Sequence, residues 1–320
     1  MNAEIFAEWL HRQGHHIVRT ASSFWYDPGP RVYEAFPFHW IIQPSEQELE
    51  ELLIRERAVG LRYSTSLDVA EGKISYHVIC DSSSYNLQML SANTRCNVRR
   101  GLRHCQVEHI SMERLAQEGW RLQQDTLERQ GRSRSMSQDK WQRVCLAAKD
   151  LPGFEAWGAI VQGDLAATTL SVCIDDTCCV LYAQSHRQYF GSGVNNAVSY
   201  TMSHEMLSRP GVRMVLYSQH SLDAPASVDE FKFRMGYTAK PVRQRIVFHP
   251  WLAPVFNSAS HAVLKQLLRW YPDHPTLAKT EGMLRFYLEG KRPLNEQNWP
   301  ECLTHLKKAL LEAQNCCVKC

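Results

Sequence analysis

Three β-prone segments at residues 156–161, 165–174 and 177–183 are joined only by Gln162-Gly163-Asp164 and Asp175-Asp176. A parallel crossover needs about a dozen residues, so connections this short demand hairpins and an antiparallel meander. The chain then leaves Tyr182 through a loop, Gln188-Tyr189-Phe190-Gly191-Ser192-Gly193, and enters a helix-compatible stretch reaching about Ser208. Residues 213–219 read as a further strand, 227–235 as a helix and 244–248 as a last strand. A meander passing into strand, helix, strand, helix, strand predicts an α+β fold. Its twisted sheet is mixed and largely antiparallel, with flanking helices.

On either side of this block the signals differ. Residues 112–130 and 137–149 read as two helices separated by Gly131-Arg132-Ser133-Arg134. Before them, residues 1–110 are mixed, with strand candidates at 60–63 and 74–79 and prolines at 28, 30, 37 and 44. Arg95, Arg99, Arg100 and Arg103 are spaced to gather on one helical face. From about residue 255 the pattern is helical, at 259–271, 276–289 and 299–315. Three sections result: an N-terminal α/β lobe (1–110), a central domain (111–254) and a C-terminal helical extension (255–320).

The 320 residues and net charge of +3 describe a globular chain without the basic excess of a dedicated nucleic-acid binder. No apolar run approaches the roughly 18 residues of a membrane span. The start, MNAEIFAEWLHRQG, lacks a signal-peptide layout. A cytoplasmic protein without membrane insertion is expected, and its eleven cysteines are expected to be reduced thiols. Cys317 and Cys320, with Cys316 beside them, have zinc-compatible spacing but no clear second pair, so no metal is expected. His204-Glu205 opens like a zincin motif, yet residue 208 is serine rather than histidine.

The strand, glycine-spaced loop and helix start are together a receptor for an anion. Two glycines let backbone N–H groups approach a phosphate, and the helix N-terminus adds its dipole. In this element order, Gln188-x-x-Gly191-x-Gly193 resembles the signature of the GNAT acyltransferase superfamily. The resemblance implies that Gln188, Tyr189, Phe190, Gly191, Ser192, Gly193 and Val194 hold the pyrophosphate of coenzyme A. Leu216-Tyr217-Ser218, the segment Val228-Asp229-Glu230-Phe231-Lys232-Phe233-Arg234-Met235-Gly236-Tyr237, and Pro241 are similar to the Phe-Lys-x-x-x-Gly region of FemAB-like proteins. Those double-GNAT enzymes add amino acids to peptidoglycan precursors. The arginine-rich stretch from Thr94 to Leu102 resembles a helix entering their second lobe. The likeness spans residues 90–250, whereas residues 1–90 are short for a complete GNAT lobe.

Roles follow from that resemblance. Acetyl-CoA or another acyl-CoA is the co-substrate, and the acceptor is a small-molecule or peptide amine that attacks the thioester directly. The splayed strand carrying Tyr182 and Ala183 offers a backbone amide to the oxyanion. Lys232, with its stem beside Phe231, is placed to stabilise the oxyanion or leaving group. Tyr217 and Gln219 stand where a strand splays to admit the acyl group. His186 is a candidate base. Arg99 and Arg100 are candidates for phosphate or acidic-acceptor contact. Two alternatives remain open: aminoacyl transfer from tRNA to a cell-wall or peptide acceptor, and a non-catalytic CoA-binding protein on the same fold.

Overall fold

In the computed structural model, which describes residues 2–131, 136–223, 226–272 and 274–317, the elements run as follows. First come α1 (Ala3–Arg12), β1 (Ile17–Arg19), β2 (Phe24–Gly29), β3 (Val32–Phe36), α2 (Glu46–Arg55), β4 (Gly60–Thr65) and β5 (Lys73–Cys80). Then come α3 (Ala92–His104), β6 (Gln106–Ile110), α4 (Met112–Arg129), α5 (Gln138–Ala147), β7 (Phe154–Val161), β8 (Asp164–Ile174) and β9 (Thr177–Ser185). The rest are α6 (Val194–Ser208), β10 (Met214–Gln219), α7 (Glu230–Arg234), β11 (Thr238–Phe248), α8 (Ser258–Trp270), α9 (Pro275–Gly290) and α10 (Lys307–Cys317). Serine begins four of the helices for one physical reason. Ser45, Ser91, Ser111 and Ser137 each accept a hydrogen bond from the otherwise unsatisfied backbone N–H three residues on.

Some elements differ from the sequence expectation. The helix expected at 227–235 is a short 3-10 turn, Ala226–Asp229, followed by the five-residue α7. Gly236, at φ +86°, takes the left-handed conformation that ends it. The segment expected at 299–315 is a 3-10 turn, Glu301–Leu306, before α10. α1, β1–β3, α2 and β6 had no counterpart in the sequence reading. Arg132, Ser133, Arg134 and Cys320 lie outside the described residues, as do the side chains of Cys316 and Cys317.

Contacts cluster into two units that are discontinuous in sequence. The first comprises residues 1–14, 78–218 and 225–238; the second comprises 15–77, 219–224 and 239–320.

In the first unit the strand order is β10–β9–β8–β7–β6. The two predicted hairpins are present: β7 pairs antiparallel with β8, and β8 with β9. β8 is buried along nearly its whole length because α4 packs on it as well as α6. Covering on both faces is why this strand reads as a continuous run of small and apolar residues. α4 and α5 are joined through Trp141, fully buried, whose indole N–H donates to the Leu115 carbonyl at 3.2 Å.

In the second unit the order is β1–β2–β3–β4–β11–β5. Period-two alternation divides its sheet into two faces. Leu61 and Tyr63 point toward Leu49, Leu52 and Leu53 of α2. Ile246 and Phe248 point the other way, toward Met283, Leu284 and Phe286 of α9. The N-terminal strands are thus completed by β11 and α9 from the end of the chain, which answers the shortness of residues 1–90.

Candidate active site

β9 and β10 run parallel and pair at Thr177–Met214, Cys178–Val215 and Cys179–Leu216. Their mutual pairing stops there, although β9 continues to Ser185 and β10 to Gln219. On its other edge β9 stays with β8 as far as the Ala167–Ser185 pair. Leu181 is the extra residue between the Leu170–Tyr182 and Ser171–Val180 pairs. A bulge of this kind bends its strand, here beside the point where β9 and β10 part. The two strands therefore open into a wedge with Tyr182 and Ala183 on one side and Tyr217 and Ser218 on the other. Burial pushes the Tyr182 phenol up to about 12 and the Tyr217 phenol well above its ordinary value. Both side chains stay neutral through the physiological range.

At the open end of β9 the loop winds into a 3-10 turn, Arg187–Ser192, and Gly193 at φ +73° leads into α6. His186 caps that turn: its Nδ1 accepts the Gln188 N–H at 3.3 Å. That bond occupies Nδ1 and leaves Nε2 as the ring nitrogen open to a substrate. Asp125 of α4 holds the loop from below. It accepts from the Arg187 backbone N–H at 3.1 Å and from Arg129 Nε at 2.8 Å, and pairs with the Arg187 guanidinium. Burial raises the pKa of this carboxyl, but the bonds from Arg129 and Arg187 outweigh it and hold it below the usual aspartate value. Tyr189 is buried, with its hydroxyl 3.4 Å from Asp164. Phe190 is exposed and lies beneath the Arg129 guanidinium, 4.6 Å from ring centroid to cation.

The two glycines of the loop do different things. A Cβ on Gly191 would have nothing within 4 Å, whereas one on Gly193 would meet the Asn97 carbonyl oxygen at 2.5 Å. Gly191 alone leaves open space for a ligand; Gly193 serves the packing of α6 against α3. Arg100 of α3 crosses to the loop and donates to the Gly191 carbonyl at 3.0 Å. Arg99 of the same helix is exposed. The first α6 bond runs from Ala197 N–H to Gly193 O. By helix geometry the preceding N–H groups of Val194, Asn195 and Asn196 lack intrahelical acceptors. An open glycine, orphan N–H groups and nearby arginines fit a phosphate.

Lys232 is buried at the wedge. Its Nζ is 2.7 Å from Ser218 Oγ and 2.5 Å from Asp229 Oδ1, and lies 5.2 Å from the Tyr217 ring centroid. Burial lowers its pKa from the ordinary lysine value, with Asp229 opposing. α7, which carries it, is fixed by Tyr85, whose hydroxyl donates to the Met235 carbonyl at 2.7 Å. Tyr237 is fixed in turn by Ser203 at 2.5 Å and by edge-on contact with Tyr217 at 5.2 Å.

The loop residues and the Lys232–Tyr217 pair are therefore each assembled as units. Phe231 is half-buried on α7. Gln219 belongs to the second unit, where its amide donates to the Phe38 carbonyl at 2.7 Å and contacts Ser64 Oγ at 3.4 Å. Asp125 and Arg129 stand outside every motif of the sequence, whereas Ser218 and Asp229 lie within the FemAB-like segments, Asp229 one helical turn before Lys232.

The sequence matches no family model and no curated protein. Solved structures do match. FemX aligns with a TM-score of 0.54 at 12% identity, covering 78% of this chain and 93% of that one. A conserved protein of unknown function from Bacteroides thetaiotaomicron gives 0.51 at 11% identity, covering 77% and 90%. L-PGS from Bacillus licheniformis gives 0.50 at 10% identity, covering 77% and 91%. The chain shares its fold with FemX and L-PGS.

Proposed function

We propose that this protein transfers an acyl group from an acyl-CoA thioester to an amine, with both substrates bound together. The observation that carries the reading is the parting of β9 from β10 beyond Cys179 and Leu216, directly ahead of the Gly191 loop and the start of α6. An extended thioester arm lies in the wedge. Its pyrophosphate is received by the loop and the orphan N–H groups of α6, with Arg100 and Arg129 adding positive charge.

The amine nitrogen attacks the thioester carbonyl carbon, forming a C–N bond and placing negative charge on the carbonyl oxygen. Collapse breaks the C–S bond and releases the CoA thiolate. The proton that the attacking nitrogen gives up passes to that sulfur, directly or through solvent, so the products are the amide and free CoA thiol. A backbone N–H on the bulged edge of β9 near Tyr182 and Ala183 faces that charge. The Lys232 ammonium, held by Asp229 and Ser218, stabilises the oxyanion or the leaving sulfur. Most of the rate comes from holding two reactants in one wedge.

The test is a thermal shift with acetyl-CoA, longer acyl-CoAs and free CoA. A ligand that binds only the folded state raises the midpoint by mass action. No shift with any of them at concentrations well above micromolar removes the proposal. Aminoacyl transfer from tRNA is favoured by one feature, the exposed Arg99 and Arg103 on α3. Salt-sensitive tRNA binding that disappears when both are neutralised would select it.

A further inference from the structure

The hairpin of β8 and β9 turns through Asp175 and Asp176, with Ile174 opposite Thr177 and Cys173 opposite Cys178. Rungs of an antiparallel ladder alternate between hydrogen-bonded and non-hydrogen-bonded pairs. Cys173 and Cys178 form a non-hydrogen-bonded rung, because the Cys173 N–H points away from β9 and donates to the Gly153 carbonyl at 3.0 Å. Opposed Cα atoms at such a rung are about 4.5 Å apart, within the roughly 4.4–6.8 Å that a disulfide spans. Both side chains stand on the face that α6 covers, where the Cys173 thiol donates to Met206 Sδ at 3.8 Å. Cys179, the next residue of β9, is buried on the opposite face.

The two thiols are not equivalent. Cys178 is fully buried and hydrogen-bonds through its thiol to Cys173, which is partly exposed. That bond favours the Cys173 thiolate and holds its pKa below the ordinary thiol value. The same bond, with burial, pushes the Cys178 thiol well above it. A thiolate is the nucleophile of disulfide exchange, so Cys173 is the attacking sulfur and Cys178 the resolving one.

We propose that Cys173 and Cys178 form a reversible disulfide across the β8–β9 hairpin, made by exchange with a small-molecule disulfide. The Cys173 thiolate attacks one sulfur of that disulfide, breaks its S–S bond and releases one small thiolate. The Cys178 sulfur then attacks Cys173 in the mixed disulfide and expels the second. The two cysteines lose two electrons, the small disulfide gains them, and the two cysteine protons end on the two small thiols. The new bond joins strands that are already paired. It locks the hairpin at the last rungs that β9 shares with β10, Cys178–Val215 and Cys179–Leu216, where the wedge begins.

The test equilibrates the full chain with reduced and oxidised glutathione at a series of ratios. Samples are quenched in acid, alkylated without reduction, digested and weighed by mass spectrometry. As the oxidised share rises, the peptide carrying Cys173, Cys178 and Cys179 should become two hydrogens lighter and keep a single alkylatable thiol. Dithiothreitol should reverse the change. The bridge should survive Cys179→Ala and be lost in Cys173→Ser and in Cys178→Ala. Full alkylation of the three cysteines at every ratio overturns the proposal. So does a glutathione adduct on Cys173 that never resolves, or a bridge that persists in Cys173→Ser.

Discussion

A Cβ built on Gly101 would stand 2.2 Å from the carbonyl oxygen of Gly193, so α3 and α6 meet backbone to backbone at these two residues. The contact that brings Arg100 to the loop exists only because neither residue has a side chain. Gly101→Ala and Gly193→Ala should each cost about 1–3 kcal/mol in denaturant unfolding. Gly193→Ala should cost the more, because its left-handed φ adds strain to the clash. Gly191→Ala should leave stability within about 0.5 kcal/mol yet weaken CoA binding. Undiminished CoA affinity in that variant would contradict the phosphate cradle.

Lys232 and Asp229 form a buried pair, and removing one charge is worse than removing both. Lys232→Met should destabilise by about 3 kcal/mol, and Lys232→Met with Asp229→Asn should recover most of it. Both variants should lose turnover while CoA still binds, which equilibrium titration beside initial rates will show. The pH sign is fixed as well. The folded-state pKa of Lys232 lies below its unfolded 10.5, so the buried ammonium costs stability at lower pH. That cost is relieved as pH rises through the folded pKa toward 10.5, which the unfolding midpoint followed against alkaline pH will show.

Asp125 should matter twice. Its folded pKa lies below the ordinary 3.8, so the stability it contributes is present above that value and is lost as pH falls through the folded pKa. Asp125→Asn should cost about 2 kcal/mol near neutrality, and the gap from the parent protein should close in acid. It should also loosen the Arg187 end of the loop and weaken CoA binding at neutral pH. Acid titration of the unfolding midpoint, with CoA affinity measured beside it, checks both effects.

In the second unit Gln297 is nearly fully buried. Its Oε1 accepts the Ile74 N–H at 2.7 Å, and its Nε2 donates to the carbonyls of Gly72 at 3.1 Å and Arg292 at 2.9 Å. Gln297→Leu leaves these backbone groups buried without that partner and should cost about 2–3 kcal/mol. CoA affinity should not change. A stability loss below about 0.5 kcal/mol would mean that water replaces the amide.

The hairpins of β7, β8 and β9, the turn after β9, the start of α6 and the arginine face of α3 are all written in neighbouring residues. Turn length, glycine placement and 3.6-residue spacing act locally, and tertiary context has little room to overrule them. The parting of β9 from β10, the burial of Lys232 beside Ser218 and Asp229, and the division of labour between Gly191 and Gly193 depend on residues far apart in the chain. Gly193 looks like a ligand glycine in isolation; only the approach of Asn97 and Gly101 makes it a packing glycine. In the same way β1–β4 look like an unfinished lobe until β11 and α9 supply the missing strand and cover. Strand pairing and helix contact are decided by which buried surfaces fit together, and no local window of sequence carries that information.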